Sequence, residues 1–108
     1  MNELKLHFSA EQLHSIKTQG MIYVCACPAQ VADQISKLRG LHAYQQQCLQ
    51  SGTNERTVHE RIAAATREAH AVMEQCLADV LALEGWDPET LEMPAGLRQR
   101  RDRQLDQE

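Results

Sequence analysis

The sequence predicts a small all-α domain: a helical bundle built on an antiparallel hairpin of two long helices, preceded by a shorter N-terminal helix. Three observations carry that expectation. The stretch Thr53–Glu84 contains neither Pro nor Gly and carries apolar side chains at helical spacing. A second such stretch, Pro28–Gln50, precedes it, and only the turn Ser51-Gly52-Thr53-Asn54 separates the two. The chain is 43% hydrophobic yet only 4% aromatic, so its core is aliphatic, which suits helix–helix packing better than a β-sandwich.

Taken in order, Leu4, Leu6 and Phe8 alternate with Lys5 and His7, which is the signature of a short β element near residues 3–8. Ser9 is a good N-cap for a first helix, and Gln12 stands three residues later, where a capping box needs it. Leu13 and Ile16 give this helix its apolar side, and Gly20 is a plausible stop. For Met21–Ala26 two readings stay open: a strand pairing with residues 4–8, or a continuation of the helix. The second is favoured, because a two-stranded sheet is marginal alone and a helical glycine costs only about 1 kcal/mol.

Pro28 suits the first position of the next helix. Its stripe is Val31, Ile35, Leu38, Leu41 or His42, and Cys48/Leu49, with Gly40 placed to end or bend it. Thr53 or Asn54 caps the long third helix. Val58, Ile62, Ala65, Ala69, Val72 and Cys76 recur at spacings of three and four and are expected to face the second helix, with Glu74 on the opposite side. Met73, Leu77, Val80 and Leu81 widen that stripe. Gly85 ends the helix, and Asp87-Pro88 opens a capped turn from which Trp86, Leu91 and Met93 fold back on the hairpin. Residues 1–94 are thus one helical domain, and 95–108 a charged, solvated tail.

Composition narrows the function. A chain of 108 residues is a single domain that can bury a real core. A formal charge of −4 argues against a nucleic-acid binder. No apolar run has the length of a leader or of the roughly 20-residue span a membrane requires. The chain is therefore expected to be cytoplasmic, with Cys25, Cys27, Cys48 and Cys76 as thiols or ligands rather than disulfides.

No phosphate loop, nucleophile elbow or zinc-protease helix is present, so no catalytic residue is nominated. Cys25-Ala26-Cys27-Pro28 places two thiols at a helix N-terminus, where the amides favour thiolate. Cys25, Cys27 and Cys48 are therefore candidate ligands for zinc or an iron–sulfur cluster, although a zinc site needs a second close pair and the remaining cysteines are scattered. The plainer expectation is that the cysteines are small buried apolar residues and that no cofactor is bound. His59 and His70 share a helix face but lie too far apart for one metal ion, and Glu74 stands one turn from His70, where the two can pair. Both histidines are expected on the solvated surface.

Tyr23-Val24-Cys25-Ala26-Cys27, with Gln34-Ile35 downstream, resembles the opening of the bacterioferritin-associated ferredoxin family. That resemblance implies a small helical domain holding a two-iron, two-sulfur cluster. The family's second Cys-x-x-Cys pair falls about thirty residues further on. Here Glu55-Arg56-Thr57-Val58-His59 occupies that place, so half of the implied ligand set is absent.

The expected function is a non-catalytic protein–protein interaction or regulatory module, with a protein partner or a second copy of itself. Long amphipathic helices need a partner surface, and the alanines Ala63, Ala64, Ala65, Ala69 and Ala71 permit close helix approach. Arg98, Arg100, Arg101 and Arg103 are candidates for gripping an acidic partner. A thiol-based metal or redox protein is the alternative. A small-molecule pocket lined by Met21, Tyr23, Tyr44 and Trp86 is a further one.

Overall fold

The structure, a computed structural model, describes residues 3–22, 27–52 and 55–94, with backbone only at 21 and 22. Three helices are present among them: α1 (Ala10–Ile22), α2 (Cys27–Gln50) and α3 (Arg56–Glu84). The molecule is all-helical, and α2 and α3 form the expected antiparallel hairpin.

Local chemistry sets most of the boundaries. Ser9 Oγ accepts from Gln12 N at 3.0 Å while Ser9 N donates to Gln12 Oε1 at 2.8 Å, a reciprocal capping box that opens α1. Gly20 does not stop this helix. A Cβ built there would lie 2.5 Å from Ala29 Cβ, so the glycine lets α1 press against the first turn of α2. Gly40 neither ends nor interrupts α2. The N-cap of α3 is Glu55, with no side-chain cap bond; Thr53 and Asn54 lie outside the described residues. At the other end Gly85 takes the left-handed conformation at φ 81°. Its N–H reaches Ala82 O and Trp86 N reaches Leu81 O, a closing pair of bonds that the sequence signals.

Residues 3–8 are not a strand, and the described residues contain none. The alternation of Leu4, Leu6 and Phe8 is real, but the backbone N–H groups of His7 and Phe8 go to a carboxylate on α3 instead of a neighbouring strand. Residues 3–6 carry no regular structure and the chain bends at 7 and 8, so the segment is an N-terminal arm laid on the hairpin. Met21 and Ile22 are helical; the rest of Met21–Ala26 and the tail 95–108 lie outside the described residues.

The core sits at one end of the hairpin. Phe8, Leu13 and Ile16 meet Ala32 and Ile35 of α2, Leu77 and Leu81 of α3, and the hook Trp86, Leu91 and Met93. Asp87 shapes that hook. Its Oδ1 accepts from Thr90 N at 3.0 Å and Glu89 N at 2.8 Å, and these bonds hold its carboxyl below the usual range. Gln19 then ties the hook to α1, donating to Leu91 O at 2.7 Å and accepting from Met93 N at 2.8 Å. Towards the turn at Ser51 the hairpin continues without α1. No helix of the described residues is long and apolar enough to cross a membrane.

Candidate functional site

Two features stand out on the hairpin. The first is a buried polar clasp. α3 turns Ala63, Thr66, His70, Glu74, Leu77 and Leu81 inward, so the expected stripe is corrected by about a third of a turn. Glu74, expected on the outer side, is 5% exposed, and His70, expected in solvent, is 1% exposed. Burial of an ionised carboxylate needs full compensation. Glu74 has it: His7 N donates at 3.0 Å, Phe8 N at 3.0 Å and Arg39 Nη2 at 2.9 Å, all to Oε2. The same Nη2 donates to Phe8 O at 2.6 Å, and Arg39 Nε donates to His70 Nε2 at 3.0 Å.

A guanidinium has no acceptor, so His70 Nε2 is unprotonated and the ring proton sits on Nδ1, which faces Glu74 Oε1 at 3.7 Å. Desolvation lowers the His70 pKa. The Glu74 charge pulls it the other way, and Arg39 and His42 reinforce the lowering. The polar seam runs on towards the turn. His42, not Leu41, is the buried member of α2, and Gln45 Oε1 lies 2.7 Å from His59 Nδ1. No buried side-chain polar atom among the described residues lacks a partner.

The second feature is an apolar flank. Val58, Ile62, Ala65, Ala69, Val72 and Cys76 do fall on one stripe of α3, but that stripe does not face α2. Val58 keeps 49% of its exposure and Val72 66%. On α2, Val31, Leu38 and Leu41 mark a matching flank, and Leu41 is 42% exposed. The two flanks lie on the same broad side of the hairpin. Val31 and Gln34 of α2 and Met73 of α3 line a common shallow hollow there. The opposite side is taken by α1, through Gly20 against Ala29 and Lys17 Nζ on Ser36 Oγ at 3.2 Å, and by the arm on Glu74.

Of the other nominated residues, those that the structure describes are not brought together. Cys27 and Cys48 are on one helix and separated by roughly 30 Å along its axis, too far to share a metal ion. Cys25 lies outside the described residues, as do Arg98, Arg100, Arg101 and Arg103. Among the described residues no group of three or more His, Cys, Asp or Glu is placed to hold a metal. Tyr44 and Trp86 do not meet: Tyr44 is exposed on α2 towards the turn, whereas Trp86 is buried in the core at the far end; Tyr23 and the side chain of Met21 lie outside the described residues. Sequence reasoning found the His70–Glu74 spacing but missed Arg39 and the arm, because their meeting depends on tertiary approach alone. Comparison with protein-family models, with curated proteins and with solved structures finds no match.

Proposed function

We propose that this chain is a non-catalytic helical interaction module, and that the open flank of its hairpin closes on a second copy of itself. The observation that supports this is the row Val58–Val72, exposed at Val58, Ala65 and Val72 and half-buried at Ile62 and Ala69, beside the exposed Leu41, while α1 and the arm occupy the other side. From Val31 to Cys48 and from Val58 to Cys76 the flank runs about 26 Å and is two helices, about 20 Å, wide. That footprint of ~500 Å², enlarged by side-chain relief, approaches the ~800 Å² per partner of a standard interface.

Two such hairpins stacked flank to flank make a four-helix bundle, and the alanines at 65 and 69 let the backbones come close. A two-fold arrangement presents the same flank twice, so no second surface is needed. The unbridged thiol of Cys76 suits a reducing compartment, and we take the module to act in the cytoplasm. Sedimentation equilibrium at micromolar concentration tests the reading. The expected species has twice the 12.2 kDa chain mass; a clean monomer removes the self-associating form.

A further inference from the structure

A neutral imidazole has one nitrogen that accepts and one that donates, and protonation makes both into donors. Arg39 Nε–H points at His70 Nε2 across 3.0 Å, a contact that exists only while that nitrogen carries no proton. A proton there would set donor against donor and cation against cation around a side chain that is 1% exposed. Relief comes most cheaply from Arg39. Its side chain keeps 16% exposure against 6% for Glu74, so it has a path to water.

Withdrawal of Arg39 removes the donor to Phe8 O and breaks the Arg39–Glu74 ion pair. Among the described residues, main-chain hydrogen bonds at His7 and Phe8 join the arm to the hairpin; Phe8 is buried, Leu4 half-buried, and residues 3–6 have no regular structure. The charged and titratable groups around His70 come from every element packed there. They are Arg39 and His42 of α2, Glu74 of α3, and His7 of the arm, whose ring is turned to solvent while its N–H is on Glu74.

We propose that Arg39, His70 and Glu74 form a proton-operated latch on the N-terminal arm: protonation of His70 frees residues 3–8 while the helices stay folded. Two hollows flank the arm, one of ≈ 630 Å³ beside Arg39 and His42 and one of ≈ 400 Å³ beside Ala71 and Glu74. Release joins them into one groove along the hairpin. This is the side opposite the apolar flank, so the latch stands or falls independently of self-association.

Amide hydrogen exchange of the full chain, corrected for the intrinsic rate, tests it between about pH 7.5 and pH 5.0. The expected result is a loss of protection of about tenfold or more in the arm, with the segment around Leu77–Leu81 unchanged. In His70→Gln the amide oxygen accepts from Arg39 and does not titrate, so the arm should stay protected at both pH values. His42→Gln should retain the loss. The variant keeps Glu74, so an undiminished loss in His70→Gln would assign the transition to another group and overturn the latch. So would a pH-independent arm in the native chain, or a loss spread equally over α3. If His70→Gln does not fold, the imidazole resonances of His70 in the native chain decide: they must titrate together with arm release, and midpoints separated by more than about half a pH unit overturn the proposal.

Discussion

At the scale of residues, the clasp shows how a hydropathy pattern can point to the wrong face. Val58, Ala65 and Val72 are apolar and exposed, while Thr66, His70 and Glu74 are polar and inside. The inward polar residues are tolerated because each has a partner: Thr66 Oγ1 donates to Ile62 O at 2.7 Å within α3, while Arg39, thirty-one positions from His70, and the arm serve His70 and Glu74. The sequence reveals the i, i+4 spacing of His70 and Glu74 but carries no local mark of that distant arginine. Local devices were legible: the Ser9–Gln12 box, the glycine cap at Gly85 and the Asp87 turn all rest on neighbours in sequence.

The buried His70 also sets a pH dependence. Its folded pKa is lowered by desolvation, so the unfolded chain binds a proton more readily than the native one. Its contribution to stability is therefore complete above the unfolded value of about 6.5 and declines as pH falls below it. Denaturant midpoints should drop from pH 7.5 to 5.5 in the native chain and drop less in His70→Gln.

At the scale of elements, the helices were legible to within a few residues, and the ambiguous signals were the glycines. Gly20 and Gly40 look alike in sequence, as single glycines in otherwise helical stretches. Only packing tells them apart. Gly20 meets Ala29, whereas a Cβ at Gly40 meets nothing within 4 Å. Gly40→Ala should then stabilise the protein by about 0.5–1 kcal/mol through helix propensity. Gly20→Ala must push α1 away from α2 and should cost about 1–3 kcal/mol despite the same propensity gain. Thermal or chemical unfolding of the two variants measures the difference, and equal effects would mean that the α1–α2 contact is looser than described. The arm is the element that sequence could not assign. A period-two pattern normally marks a strand, and here the backbone instead bends at residues 7 and 8 and gives both N–H groups to a single carboxylate.

The whole molecule is a rod more than a ball. Its radius of gyration is 17.1 Å and its extents 58 × 27 × 18 Å, against about 13 Å expected for a compact chain of this length. α3 alone, at 29 residues, is about 44 Å long, and towards the turn the hairpin keeps one broad side uncovered. If a second copy covers that side, Val72→Glu should weaken the dimer by at least about tenfold while leaving the helical circular dichroism unchanged, since Val72 is 66% exposed in the single chain. A loss of helix together with the dimer would instead give Val72 a role inside the fold.

The Gln19 bridge carries a consequence for biosynthesis. Its amide joins residues 91 and 93 to α1, seventy-odd positions earlier. During translation α1 can meet α2 early, but the core around Leu13 and Ile16 closes only when Leu77, Leu81 and then the hook have emerged. A nascent chain that lacks the hook therefore keeps part of this core open, and the bond that seals its first helix is among the last to be made.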